Sequence, residues 1–207
     1  MKKRNSQIVL SQYSPLMSVD TSLTDDGGNP VELPRVYSLC RCGQSGVKPM
    51  CDGTHAKVGF VGTRENSAKG PLEYYEGKNI TIVYDRFLCM GAGFCGELEA
   101  VFGTHDAPIY EPDGAPVEAV IETIRKCPSG ALTYIVGGVH YRDFFDKPEI
   151  VVEPDGPLHC VGGVDLIDDQ VSDELLPMAD HYVLCRCGGS KKKPLCDGSH
   201  EENGFKG

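Results

Sequence analysis

Apolar residues in this chain fall into short runs broken by turn residues, and one stretch sustains a helical period. APVEAVIETIRKC (115–127) places Val117, Val120, Ile121 and Ile124 on one face, with Pro116 suited to a first helical position. It predicts an amphipathic helix. Upstream, ITIVY (80–84) is rich in β-branched and aromatic residues and predicts a strand. GELEAVF (96–102) suggests a short helix, and ALTYIV (131–136) reads as a closing strand. The order strand, cysteine loop, helix, link, helix, Cys-Pro, strand marks a small α+β unit over residues 71–140.

On either side of that unit the pattern repeats. YSLCRCGQSGVKPMCDGTHAKVGF runs from Tyr37 to Phe60, and YVLCRCGGSKKKPLCDGSHEENGF from Tyr182 to Phe205, with no gap between the copies. The likeness extends upstream, where YSPLMSV around Pro15 matches DGPLHCV around Pro157. Short β-type runs follow each, then turn-rich stretches, DDGGNP at 25–30 and DDQVSD at 168–173. YRDFFDKPEIVVEPD (141–155) leads into the second copy. Two homologous β-rich units are expected, over residues 1–70 and 141–207, giving an α+β chain of three parts.

Composition agrees with small cores. The 207 residues are 40% apolar and 8% aromatic, without Trp, and include 25 Gly and 14 Pro. Small cores need disulfides or metals as staples, and ten cysteines are present. MKKRNSQIVL carries no apolar signal core and no membrane span follows. A cytoplasmic chain is therefore expected, in which thiols hold metal rather than disulfides. The net charge is -10, with the excess acid lying after residue 66. That argues against nucleic acid as a partner. It suits either plain solubility or the steering of a basic protein partner.

The repeat reduces to Cys-x-Cys-x8-Cys-x3-His, formed by Cys40, Cys42, Cys51 and His55, then by Cys185, Cys187, Cys196 and His200. Three thiolates and an imidazole suit a tetrahedral zinc, or a two-iron cluster with two ligands per iron, and ligand chemistry alone leaves these even. Asp-Gly between the later Cys and the His supplies a tight turn, and Asp52 and Asp197 can accept backbone N–H bonds at a helix start. Lys48 and Lys191–Lys193 lie between the ligands, where a solvated loop is the expected role.

With Ser45/Ser190 and Pro49/Pro194 matching as well, CRCGxSxxxPxCDG(S/T)H resembles the signature of the CDGSH iron–sulfur family, which includes mitoNEET. The resemblance implies a [2Fe–2S] cluster on each motif, held by three Cys and one His. It also implies a β-cap joined to a cluster-binding lobe, two copies of which pack about a two-fold axis. Two motifs in one chain then imply an intramolecular pseudo-dimer, and a monomer.

In the middle unit, CMGAGFCGE (89–97) contains Gly91-x-Gly93-x-x-Gly96, the dinucleotide spacing. The unit is too small for a doubly wound sheet, and cysteines flank the glycines. Cys89-x5-Cys95 with Cys127-Pro128 instead resembles a single-cluster bacterial ferredoxin, whose pattern is C-x2-C-x2-C…C-P. The middle ligand would fall at Ala92. The resemblance therefore implies a [3Fe–4S] cluster on Cys89, Cys95 and Cys127, with a divergent four-iron cluster as the alternative. Cys160 aligns with Ser18 inside the β-cap and is expected to be a half-buried thiol rather than a fourth ligand. His105, His140, His159 and His181 lack ligand spacing and are read as structural or surface residues. Asn79-Ile80-Thr81 is a glycosylation sequon that a cytoplasmic chain would not use.

No P-loop, catalytic triad or flavin signature is present in the sequence, so no enzyme is expected. Three functions remain. The first is an electron carrier between protein redox partners. The second is a cluster-transfer or redox-sensing protein. The third is a zinc-stabilised interaction module, which the middle unit disfavours because it has no zinc pattern. A third, all-Cys site favours the electron carrier.

Overall fold

A computed structural model describes residues 6–65, 70–104, 106–168 and 179–207. The sequon-bearing turn lies within them, whereas His105 and most of the 168–173 turn fall outside. Strands β1 (Gln7–Leu10), β2 (Leu16–Val19), β3 (Ser22–Thr24), β4 (Pro30–Val31) and β5 (Val36–Leu39) precede a short helix, α1 (Thr54–Lys57). The middle of the chain holds β6 (Glu73–Glu76), β7 (Thr81–Tyr84), α2 (Glu99–Phe102), α3 (Val117–Arg125), β8 (Leu132–Val136) and β9 (Val139–Tyr141). Then follow β10 (Glu149–Val152), β11 (Leu158–Val161), β12 (Asp165–Asp168), β13 (Tyr182–Leu184) and α4 (Ser199–Glu202).

The sheets of the two repeats exchange strands. One has the order β12-β1-β2-β5 and the other β13-β11-β10-β3-β4. Within a repeat the neighbours are antiparallel, which leaves β1 and β10 each with an unpaired edge of backbone donors and acceptors. The other repeat fills each edge with a parallel strand. β12 pairs with β1, setting Leu166 opposite Ile8, and β3 pairs with β10, setting Leu23 opposite Ile150. All four of these side chains are buried. The period-2 alternation of β1 and β10 is what selects the inward face. Thr24 also donates its hydroxyl to the Glu149 carboxylate across the β3–β10 pair.

The middle unit forms an antiparallel sheet, β6-β7-β8-β9, with α3 beside β8. Val120 and Ile124 of α3 are buried and Val117 and Ile121 pack at the edge of the core, the face expected from their spacing. Pro116 sits one residue earlier than expected, as the N-cap, with its carbonyl accepting the N–H groups of Ala119 and Val120. The helix expected at 96–102 begins instead as a 3-10 turn over Phe94–Leu98 and becomes α-helical at Glu99, because Leu98 leaves helical geometry. No described helix is long and apolar enough to cross a membrane.

Candidate metal centres

The two CDGSH motifs are built from the same local bonds. The strand carrying the first cysteine pair is tied to the proline of its own loop: Cys40 N–H donates to Pro49 O and Cys185 N–H to Pro194 O, both at 2.8 Å. Ser45 and Ser190 brace the loop between ligands, their hydroxyls donating to Met50 O and Leu195 O at 2.7 Å. Asp52 accepts N–H bonds from Gly46 (2.9 Å) and Thr54 (3.0 Å), and Asp197 from Lys191 (2.8 Å) and Ser199 (3.1 Å). The Gly46 and Thr54 bonds hold the Asp52 carboxyl well below the usual range. Burial opposes the same effect at Asp197, yet the Ser199 and Lys191 bonds still leave its pKa lowered.

These bonds deliver the donors in pairs. The sulfurs of Cys40 and Cys42 lie 3.7 Å apart, as do those of Cys185 and Cys187. Cys51 Sγ is 3.3 Å from His55 Nδ1, and Cys196 Sγ is 3.5 Å from His200 Nδ1. A metal with bonds of about 2.3 Å to sulfur and about 2.0 Å to nitrogen holds tetrahedral donors roughly 3.5–3.8 Å apart. Each pair therefore fits one metal atom, so each motif offers donors for two. Backbone N–H groups point at the sulfurs as well, Gly53 to Cys51 (3.4 Å) and Gly198 to Cys196 (3.5 Å). Cys187 is held down to about 5, first by the Cys185 hydrogen bond, whereas burial pushes Cys196 up to about 12.

The two motifs touch. A β-carbon placed on Gly43 would lie 2.4 Å from Cys187 O, and one on Gly188 would lie 2.8 Å from Cys42 O. Both glycines have positive φ, 77° and 80°. The two Cys-x-Cys-Gly segments thus meet back to back.

Cys89, Cys95 and Cys127 line one cavity of the middle unit, and Ala92 lines it with them. The three thiols face a single space with an alanine where a fourth cysteine would stand, and this set fits a cluster with three protein ligands. Tyr84 and Tyr110 close one side, their rings 5.1 Å apart. Burial pushes the Cys95 and Cys127 thiols up, and Cys89 adds to the shift at both, as does Cys127 at Cys95.

Sequence reasoning missed the residues that join the sites. Lys192 was read as solvated, but its Nζ donates to Cys89 O (2.7 Å) and Phe87 O (3.1 Å) of the middle unit. Lys193 is buried, donating to Ser190 O at 2.6 Å. His181 is buried between Asp180 Oδ1 (2.9 Å) and Cys127 O (3.1 Å), and so ties the middle site to the entry of β13. A run of lysines and a histidine without ligand spacing give no signal of such roles. What distinguishes Lys192 is the difference between copies, since Val47 occupies its place in the first. Arg41 and Arg186 carry no such signal either. Both are buried, with Nε donating to Ser14 O (2.7 Å) and Gly156 O (2.9 Å) and the guanidinium over Phe60 and Phe205. Cys160, expected to be half-buried, lies fully buried on β11, whose inward face takes it. His140 bonds Thr133 at 2.8 Å and His159 bonds Glu153 at 2.6 Å, both structural.

The family described as "Iron-binding zinc finger CDGSH type" matches residues 15–56 and 155–201. The one described as "Divergent 4Fe-4S mono-cluster" matches residues 75–137. No curated protein and no solved structure gave a significant match. The chain is an iron–sulfur protein that joins two regions of the CDGSH family with one of the divergent mono-cluster family between them.

Proposed function

We propose that this chain is an electron-transfer protein that holds two [2Fe–2S] clusters and one three-iron cluster and exchanges electrons with protein partners. Cys40, Cys42, Cys51 and His55 would hold the first, Cys185, Cys187, Cys196 and His200 the second, and Cys89, Cys95 and Cys127 the third. Iron–sulfur clusters supply reversible one-electron chemistry, and a histidine among the ligands raises the potential. The residues do the rest: they fix donor pairs and direct N–H groups at sulfur.

The observation that carries this reading is the direct contact between the sites. Gly43 abuts Cys187, and Lys192 reaches from within the second motif to Cys89 O. A carrier of cargo has no need for three sites in one packed series. The reciprocal exchange of β3 and β12 supports the intramolecular pseudo-dimer, and the cysteine loop with α3 on a small antiparallel sheet supports a ferredoxin-like middle unit. The charge of -10 favours a basic partner surface, with association weakened by salt.

Metal and sulfide content per chain on anaerobically purified protein tests the reading. About seven irons and about eight sulfides fit two [2Fe–2S] groups and one [3Fe–4S] group. Reversible one-electron titration of all three, followed by electron paramagnetic resonance, supports the carrier. Zinc without sulfide, or clusters that do not cycle, would sink it. A second reading, cluster donation, is favoured by one observation: Cys51 and His55 are only partly covered.

A further inference from the structure

The two CDGSH sites share every ligand and differ in their cover. Cys196 is 2% exposed and His200 7%, whereas Cys51 and His55 are both partly open. The cover comes from the middle unit. Met90 packs with Val183 and Cys196 in a small apolar cluster, and a β-carbon on Gly198 would lie 2.6 Å from Met90 O. Lys192 pins that loop from below through the carbonyls of Cys89 and Phe87. Among the described residues nothing takes this place at the first motif. Gly53 has open space around its α-carbon, and Val47, the counterpart of Lys192, is 58% exposed. The counterpart of Val183 is Ser38. Two of the differences between the copies, Ser38/Val183 and Val47/Lys192, thus fall at positions where the middle loop seats.

We propose that the Met90 loop, latched by Lys192, is a lid that makes the second CDGSH site a closed, retaining site and leaves the first as the exchangeable one. The inference rests on the reading that both motifs hold clusters. The physical basis is access. Release of a metal group needs water or a competing ligand to reach the Cys–His pair, and at the second site the loop must lift first. Lifting it breaks two hydrogen bonds to Lys192 and exposes Met90 and Val183.

The test follows loss of each His-ligated cluster signal in the full chain after addition of a strong ferrous-iron chelator, using Cys196→Ser to leave the first site and Cys51→Ser to leave the second. The second site is expected to lose its signal at least about fivefold more slowly, a factor matching the loss of one or two hydrogen bonds. Lys192→Val in the Cys51→Ser chain should bring its rate toward that of the first site, and Lys192→Arg should preserve the slow rate. Equal rates in the two single-site chains would overturn the proposal, as would a slow second site indifferent to Lys192→Val. Amide exchange on the unaltered chain gives an independent reading: Gly53 N–H should exchange faster than Gly198 N–H, and the reverse order overturns the lid. Absence of iron and sulfide from both motifs at the outset would instead refute the cluster reading on which the lid depends.

Discussion

Gly43 and Cys187 meet where the two motifs touch, so closely that a β-carbon on the glycine would stand 2.4 Å from the cysteine carbonyl oxygen. Gly53 has nearly the same backbone, φ 84° against 77°, yet open space around it. The pair separates two effects. Gly53→Ala should cost only the left-handed penalty of about 1–2 kcal/mol. Gly43→Ala carries that penalty and also drives the two Cys-x-Cys segments apart, so it should lower the melting temperature further and reduce iron content at both motifs. Thermal melts with iron assays on both variants check this, and equal losses would show that the contact does not matter.

Arg186 should not tolerate lysine. It is 1% exposed and donates to Gly156 O at 2.9 Å and to Glu153 O and Gly207 O at 2.6 Å. A lysine cannot fork among carbonyls lying in different directions. Arg186→Lys should cost about 1–3 kcal/mol, since the buried Gly156 carbonyl loses its partner. Chemical denaturation measures it, and a loss under about 0.5 kcal/mol, the level of an ordinary surface change, would contradict the packing described.

Cys160 offers a control on the ligand assignment. It is buried on β11, and burial pushes its thiol far above the ordinary range. Cys160→Ala should leave iron and sulfide per chain unchanged while costing about 1 kcal/mol in stability. A fall in iron would make it a ligand after all.

His140 sets a pH dependence for the middle sheet. Burial, with the neighbouring Arg142, pushes its imidazole below the ordinary 6.5, against the smaller pull of Asp143. The unfolded chain therefore takes up the proton first as pH falls. His140 contributes stability that is present above pH 6.5 and is lost as pH drops from there through the lowered folded value. Denaturation at pH 7.5 and at more acid pH should show this loss, and His140→Gln should flatten it. An unchanged slope in the variant would assign the effect elsewhere.

The parts of this molecule legible in the sequence are those where residue identity is dictated by chemistry. Cysteines and histidines cannot be replaced at a ligand position, so the repeat and the tricysteine loop stand out, and the face of α3 follows from its apolar spacing. Strand exchange was not legible as pairing. The alternation of Ile8, Leu23, Ile150 and Leu166 tells which side of each strand is buried, but nothing in a three- or four-residue strand names the edge it joins. Lys192 and His181 were illegible for another reason: the groups they reach in the middle unit are backbone carbonyls, which leave no mark on the partner's sequence.

The exchanged strands also order the chain's assembly. Thr24 bonds Glu149 across 125 positions of sequence, while the middle sheet closes entirely within residues 73–141. On a ribosome the first motif emerges complete with all its ligands, yet the sheet behind it lacks β12 and the loop against it lacks Gly188. Its scaffold waits for the last quarter of the chain. Local pairings form sooner than distant ones, so the tricysteine unit can fold while the first repeat is still open. Each CDGSH site thus depends on strands from both ends of the chain, so neither sheet can be completed before the second repeat has followed the middle unit.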